Sequence, residues 1–190
     1  MPRLFTGIEI PHAVRQQLSA LRGGLLGARW IDEENYHLTL RFMGDIDETY
    51  AHSVADELAR VVRPSLCVTL DNLSTFGGDR PRAIIARAQA NPQLAALQTE
   101  HERIIRRVGL PAETRKFVPH VTLARLRSTS SNAVANYLSS RGLFVALSFQ
   151  VERFVLYSSR ASTGGGPYLI EAEYPLQPFV NQAAGEQFML

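Results

Sequence analysis

The chain of 190 residues is 45% hydrophobic and 20% charged, a composition that predicts a folded globular domain and excludes a disordered or collagen-like chain. Twenty basic and 18 acidic residues leave a net charge of +2, too small for a protein that coats long nucleic acid by neutralising many phosphates. The single cysteine, Cys67, excludes an intramolecular disulfide and a zinc site built on several cysteines, and its alternating apolar surroundings predict a buried structural thiol.

The N-terminal half of the sequence predicts alternating strands and helices followed by a hairpin. Val14, Leu18 and Leu21 recur at helical spacing after Pro11, and glycines from Gly23 onward end that helix. The predicted elements are a strand at 3–10, a helix that opens at Pro11, a strand at 37–43, a helix containing 50–62, and hairpin strands near 66–76 and 82–88.

The C-terminal half predicts one long helix and several further strands. Pro92 in the first turn and Gly109 after the last are typical helix ends, so a helix is expected from about 91 to 108. The remaining predicted elements are a strand at 120–126, a weak helix near 131–140, strands near 144–157, a turn at 164–166 and a strand near 168–173. This irregular order favours an α+β fold with antiparallel sheets. We expect one domain at 1–176 and a tail at 177–190.

Two short segments of the chain are nearly identical: HLTL at 37–40 and HVTL at 120–123. With five His and ten Thr in the chain, two His-x-Thr matches arise by chance only about 3% of the time. An internal duplication that places one copy in each of two lobes is the simplest explanation.

Each repeated motif carries side chains suited to phosphate chemistry. Because side chains alternate between the faces of a strand, each motif presents an imidazole and a hydroxyl on one face and two apolar groups on the other. If the lobes face each other across a pseudo-twofold axis, His37 and His120 flank one cleft. One neutral imidazole acting as a base and one protonated imidazole acting as an acid can then catalyse an in-line displacement without a metal. Thr39 and Thr122 would donate hydrogen bonds to the non-bridging phosphate oxygens.

The other three histidines are not expected in this site. His12 and His52 are predicted at the surface, and His101 falls on the apolar stripe of the long helix, where a core histidine is expected. There is no His-Glu-x-x-His run, so the sequence predicts no metal site.

The residues resemble the two-histidine phosphoesterases, and within them the RNA 2′,3′-cyclic phosphodiesterases, historically called 2′-5′ RNA ligases. The resemblance rests on LFTGIEIP at 4–11, HLTLRFMG at 37–44, FVPHVTLAR at 117–125 and VLYSS at 155–159. It implies an α+β fold of two pseudo-symmetric lobes of antiparallel β-sheet with flanking helices around a central cleft, in agreement with the duplication.

The resemblance implies hydrolysis of a 2′,3′-cyclic phosphate at an RNA 3′ end, which leaves a 2′-phosphate. It assigns His37 as the acid that protonates the departing 3′ oxygen and His120 as the base that activates water, with Thr39 and Thr122 holding the phosphate. Without the resemblance, the sequence does not determine which of the two histidines is the acid and which is the base.

The resemblance also implies that Phe42 and Arg125, each five positions after its motif histidine, sandwich the terminal base. In a regular strand, a residue five positions after the histidine points to the opposite face of the sheet. Both side chains therefore reach the cleft only if the strand twists, bulges or ends before them. Without that change, Phe42 is a core aromatic residue and Arg125 a surface residue.

Further residues are candidates for the cleft wall. Arg41, Arg115 and Lys116 are candidates for contacts to backbone phosphates, although solvated charges at strand ends explain them equally well. Trp30 and Tyr157 are candidates for base stacking, with a place in the core as the alternative.

Several functions are compatible with these residues. The alternatives to hydrolysis are the reverse reaction, 2′-5′ ligation of a cyclic phosphate end to a 5′-hydroxyl, and a non-catalytic module that binds RNA 3′ ends. Small nucleotide cyclic phosphates are alternative substrates. We expect RNA with a cyclic phosphate end as the partner, no cofactor and a monomer. Because no apolar run of 18 residues and no signal segment occurs, we expect a cytoplasmic protein without membrane contact.

Overall fold

The computed structural model describes residues 3–159 and 166–178. In this part of the chain nine strands form one sheet and four α-helices and a short 3-10 helix at Glu33–Asn35 accompany it. The strands are β1 (Arg3–Glu9), β2 (Ala28–Trp30), β3 (His37–Asp45), β4 (Leu66–Phe76), β5 (Ala83–Ala88), β6 (His120–Leu126), β7 (Leu147–Val151), β8 (Arg153–Ser159) and β9 (Tyr168–Pro175). The helices are α1 (His12–Ser19), α2 (Glu48–Leu58), α3 (Pro92–Arg107) and α4 (Ser131–Ser140).

Eight of the nine strands form two four-stranded lobes that meet between β3 and β6, and the short β2 adds to the lobe of β6. The strand order of the sheet is β7-β4-β5-β6-β3-β1-β8-β9, with β2 paired to β6, and every pairing between these strands is antiparallel. The α+β fold with antiparallel sheet is therefore confirmed, and both motif strands lie at the centre of the sheet.

The two repeats of the chain exchange strands. The first repeat runs β1-α1-β3-α2-β4 and the second runs β5-α3-β6-α4 into β7 and β8. β4 leaves the lobe of its own motif strand and pairs with β5, while β8 crosses in the opposite direction and pairs with β1. Each lobe therefore contains strands from both repeats, although each still carries one motif.

Helix starts follow the capping signals of the sequence. The Asn91 side chain accepts hydrogen bonds from the first-turn N–H groups of α3, and Pro92 occupies the first helical position. Asp47 and Ser130 cap α2 and α4 in the same way. Helix α1 ends at Ser19, short of the predicted glycine cluster. The 3-10 helix and β2 are too short for the sequence pattern to have predicted them.

The helices pack on the face of the sheet opposite the motif side chains. Leu38 and Val121, which follow the motif histidines, are fully buried in one continuous apolar core that includes residues from all four helices. Burying these apolar faces stabilises the fold by roughly 25 cal/mol for each Å² removed from water. A smaller cluster of Phe5, Val155 and Tyr157 lies apart from this core.

Matched irregularities interrupt the two motif strands. The pairing of β1 with β3 skips Leu40, and the pairing of β5 with β6 skips Leu123. Both positions lie three residues after the motif histidine. Over the six residues that start at the histidine, the two strands also have the same sequence of buried, half-buried and exposed positions. A bulge adds one residue to a strand and reverses the face of all side chains beyond it.

Cys67 corrects one prediction from the sequence. Its thiol is exposed, because the alternation of β4 turns Leu66, Val68 and Leu70 inward and leaves Cys67 on the other face with Thr69. Most of the predicted 164–166 turn and the tail from 179 lie outside the described residues, so the tail at 177–190 stays a prediction. No helix in the described ranges is long and apolar enough to cross a membrane.

Candidate active site

The two motif histidines lie at equivalent positions beside the lobe boundary. Leu38 of β3 is directly opposite Val121 of β6 in the antiparallel pairing, and each follows its motif histidine by one residue. A local twofold axis between these two residues therefore relates His37 to His120. Both histidines line one cleft with a volume of about 670 Å³.

A backbone carbonyl fixes the proton position on each imidazole. Nδ1 of His37 lies 2.8 Å from the carbonyl oxygen of Asn35, and Nδ1 of His120 lies 2.6 Å from that of Val118. Because a carbonyl oxygen only accepts, each Nδ1 carries the proton and donates. Nε2 is then the nitrogen left to exchange a proton with a ligand in the cleft.

Burial keeps both imidazoles neutral in the unliganded protein. Burial lowers the pKa of His37 to about 4, against the effect of its hydrogen bond to the Asn35 carbonyl, and the positive charge of Arg125 lowers this pKa further. Burial also lowers the pKa of His120, against the effect of its hydrogen bond to Val118. An anion in the cleft would stabilise the protonated form of either ring.

Aromatic rings surround the first histidine more completely than the second. The His37 ring centroid lies 4.9 Å from those of Phe5 and Tyr168. The His120 ring makes an edge contact with Phe76 at 4.8 Å. The two equivalent imidazoles therefore have different aromatic surroundings.

The other predicted site residues line the same cleft. Thr39 and Thr122 lie on the same strand face as their histidines, and Phe42 and Arg125 also line the cleft. The bulges at Leu40 and Leu123 explain how Phe42 and Arg125 reach the cleft. Each bulge adds one residue to its strand, so the side chain five positions after the histidine lies on the same face as the histidine. Phe42 is consequently 41% exposed rather than a core residue.

Cationic side chains collect at the cleft. Arg115 and Lys116 line it as the sequence suggested, and Arg3 and Arg82 join them. Among the described residues, Arg82, Arg125 and Lys116 form no ion pair with an acidic side chain. Three uncompensated positive charges in one concave site favour an anionic ligand.

Sequence reasoning did not identify several cleft residues. These residues come from strands near their ends and from α3, and the sequence analysis assigned none of them to the site; they are Arg3, Phe5, Phe76, Arg82, Gln98 and Tyr168. The sheet order brings them together. The predicted hairpin with strands near 66–76 and 82–88 was a local signal for two of them, since it places Phe76 and Arg82 at adjacent strand ends.

The structure contradicts the prediction that Arg41 contacts substrate phosphates. Its side chain is 7% exposed and its guanidinium is bound to Glu102 and to the carbonyl oxygens of Phe42 and Pro111. The bulge at Leu40 turns the Arg41 side chain inward; Arg41 still borders the cleft, but these partners within the protein occupy its guanidinium.

Tyr157 and His101 are core residues, whereas Trp30 is half-buried and packs against the core. Trp30 packs against Tyr137, with ring centroids 5.7 Å apart, and Tyr157 is buried in a stack with Phe5 behind His37. His101 is fully buried and its Nδ1 lies 2.8 Å from the Thr6 hydroxyl, as expected for a core histidine. His12 and His52 are exposed, as predicted.

The donor set of the cleft is not that of a metal site. The two imidazoles are accompanied in the cleft by hydroxyl, aromatic and cationic groups. Within residues 3–159 and 166–178, no three His, Cys, Asp or Glu side chains are close enough together to hold a metal ion. A protein site for a catalytic transition metal ordinarily supplies three ligands.

The sequence matches known proteins over most of its length. The family profile described as "LigT like Phosphoesterase" matches twice, at residues 8–86 and 85–168, so each match contains one His-x-Thr motif. A relative from Thermotoga maritima named "RNA 2′,3′-cyclic phosphodiesterase" is 31% identical over 88% of this chain and 92% of its own length. One of the same name from Bacillus subtilis is 26% identical over 82% of this chain and 87% of its own.

Solved structures have the same fold. The protein TT0787 of Thermus thermophilus superposes with a TM-score of 0.77 at 21% identity, covering 93% of this chain and 98% of that protein. Escherichia coli LigT in complex with 3′-AMP superposes with a TM-score of 0.72 at 24% identity, covering 93% and 99%. At these identities the likeness extends to the fold.

Proposed function

Because the chain belongs to the LigT-like phosphoesterase family, we propose that it is a phosphodiesterase that opens 2′,3′-cyclic phosphates at RNA 3′ ends without a metal ion. The product is a 2′-phosphomonoester. The observation that carries the proposal is the pair of equivalent imidazoles on one cleft, each with Nδ1 fixed by a carbonyl and Nε2 free for proton transfer.

The two histidines divide the proton transfers of hydrolysis. His120, neutral, accepts a proton from water at Nε2 while the water oxygen forms a bond to phosphorus. The bond from phosphorus to the 3′ oxygen breaks, and protonated His37 gives its Nε2 proton to that oxygen. Afterwards His37 is neutral and His120 is protonated, so one proton exchange with solvent restores the starting state.

The threonines stabilise the negative charge that develops on phosphate. Thr39 and Thr122 share the histidine face of their strands, one on each side of the twofold axis. Their hydroxyls donate to the two non-bridging oxygens, which carry the most charge in the transition state. The uncompensated cations of the cleft add a long-range attraction for the anionic substrate.

The terminal base occupies the space between Phe42 and Arg125. Both side chains leave their strands on the cleft face after the bulges. An aromatic ring and a guanidinium plane both stack on any base, so this arrangement supports recognition of an RNA end without strong base preference. It also supports binding of small nucleotides, as in the relative solved with 3′-AMP.

The decisive experiment incubates the protein with a short RNA that ends in a 2′,3′-cyclic phosphate, in the presence of EDTA, and separates the products. A 2′-phosphate is the expected product. Loss of activity in EDTA contradicts the metal-free mechanism, and a 3′-phosphate contradicts the direction of ring opening. Ligated RNA as the main product assigns the reverse reaction, while binding without turnover assigns a non-catalytic module. Size-exclusion chromatography checks the expected monomer.

A further inference from the structure

An irregular segment connects α3 to the second motif strand and supplies several cleft groups. Residues 111–119 contain no helix or strand. The segment carries Arg115 and Lys116 to the cleft, and its Val118 carbonyl accepts the hydrogen bond from His120. Because irregular backbone lacks the regular hydrogen bonds of a sheet or helix, its conformation depends on the few contacts that hold it.

Arg41 makes one of these contacts from the interior of the protein. Its Nε donates to Glu102 of α3 at 2.5 Å, one terminal nitrogen donates to the carbonyl of Pro111 at 2.5 Å, and the other donates to the carbonyl of Phe42. A single rigid guanidinium therefore joins the first motif strand, α3 and the start of the 111–119 segment.

Glu102 extends the connection to the cationic rim. Its second carboxylate oxygen accepts from the backbone N–H of Glu113 at 3.1 Å. The Glu113 carboxylate in turn accepts from the backbone N–H of Arg115 at 3.0 Å and from its guanidinium at 2.9 and 3.1 Å. A continuous set of hydrogen bonds thus runs from buried Arg41 to the exposed Arg115 at the cleft.

The duplication shows that this arginine is a departure from the repeat. Arg41 stands four positions after His37, and the equivalent position in the second motif is the buried Ala124. A small residue therefore satisfies the strand geometry at this point. A buried ion pair is costly to form and is weak support for stability compared with apolar packing, so its presence in one repeat alone points to a task specific to that lobe.

We propose that Arg41 is a positioning residue which, through Glu102, holds the 111–119 segment so that Arg115 contacts a backbone phosphate upstream of the reacting RNA end. The inference deepens the proposed function and rests on RNA as the ligand. It assigns Arg41 no contact with the substrate.

The test measures binding of a single-stranded RNA oligonucleotide that ends in a 2′-phosphate, by fluorescence anisotropy over a range of salt concentrations. Each phosphate contact contributes about 0.7 to the slope of log Kd against log salt for single strands. Arg41→Met and Arg115→Ala should each lower the slope by at least about 0.7. The double variant Arg41→Met/Arg115→Ala should have the same slope as Arg41→Met alone, because both changes remove one contact.

Two further variants separate positioning from stability. Arg63→Met removes another arginine ion pair of α3, with Glu100, that lies outside the cleft, and it should leave the slope unchanged. Arg41→Met/Glu102→Leu replaces the buried ion pair by apolar groups, which is expected to restore the melting temperature lost in Arg41→Met. It should not restore RNA binding, because the segment remains unanchored.

The inference is overturned if Arg41→Met leaves the salt dependence of RNA binding unchanged. It is also overturned if Arg41→Met/Glu102→Leu binds RNA as well as the wild type does. Additive changes in the Arg41→Met/Arg115→Ala variant also overturn it, since they show that Arg41 acts independently of Arg115. The measurement needs no turnover. A wild-type protein that binds RNA without hydrolysis would contradict the proposed activity and still test the positioning role.

Discussion

Each motif histidine acts through one nitrogen, so removal of the ring tests the chemistry directly. His37→Ala and His120→Ala should each lower kcat at least about a hundredfold on an RNA cyclic phosphate, the usual loss when a general acid or base is removed. His52→Ala is a matched control, because His52 is exposed on α2 and its Nδ1 also bonds a backbone carbonyl. Turnover retained in either motif variant would rule out the two-histidine mechanism.

The low proton affinity of both imidazoles predicts the pH dependence. Burial lowers the pKa of His37 to about 4 and lowers that of His120, so kcat/KM should have a bell shape with its maximum below pH 6.5. The acid limb reflects protonation of the base, and the alkaline limb reflects loss of the proton from the acid. A bound phosphodiester anion raises both pKa values, so the maximum in kcat should lie at higher pH.

Initial rates over pH 4–9 at low and saturating substrate provide the measurement. His120→Ala should lose the acid limb, since the remaining activity no longer requires a neutral base. A kcat/KM maximum above about pH 7 in the wild type would show that burial does not lower the pKa of both imidazoles.

Among the elements, β1 and β3 approach so closely that a single methyl group should disturb the site. A Cβ added at Gly7 would lie 2.9 Å from the Leu38 carbonyl oxygen and 3.3 Å from the Tyr157 ring. The neighbouring carbonyl belongs to the backbone of the motif strand, so it cannot yield without moving Thr39, which is opposite Gly7. Gly7→Ala should lower the free energy of unfolding by about 1–3 kcal/mol and also reduce kcat. Urea denaturation and steady-state rates check this; an unchanged kcat would show that the strand absorbs the shift elsewhere.

The elements also show what a sequence can predict. Periodicity and capping residues located most helices and strands, because these signals are local, and the doubled motif located the histidine and threonine faces. The inward turn of Arg41 was not predictable, since it depends on a bulge that only the pairing with β1 reveals. Cleft residues such as Phe76 and Arg82 were missed for a related reason: long-range strand order brings them to the site.

For the whole molecule, buried His101 predicts acid sensitivity of the fold. Burial lowers its pKa to about 3, whereas in the unfolded chain it titrates near 6.5. Between these values the unfolded state binds one more proton than the folded state, so stability falls as pH falls below 6.5. From pH 7 to pH 5 this histidine should remove about 2 kcal/mol from the free energy of unfolding.

Urea unfolding of wild type and His101→Leu at pH 7 and pH 5 isolates this contribution. The variant loses the hydrogen bond to Thr6 at both pH values, so only the difference between the two pH values reports on the titration. Equal pH dependence in both proteins would contradict the assignment.

The exchange of β4 and β8 between the lobes has a consequence for ancestry. A chain of half this length with one motif could complete its sheet only by donating a strand to a second copy and receiving one in return, so the ancestral cleft would belong to an isologous dimer. Twofold symmetry would force its two histidines to share one proton affinity. Fusion of the two copies into one gene would remove that constraint. The two halves of this chain do differ: more aromatic rings surround His37 than His120, and Arg41 occupies the position that Ala124 has in the other repeat.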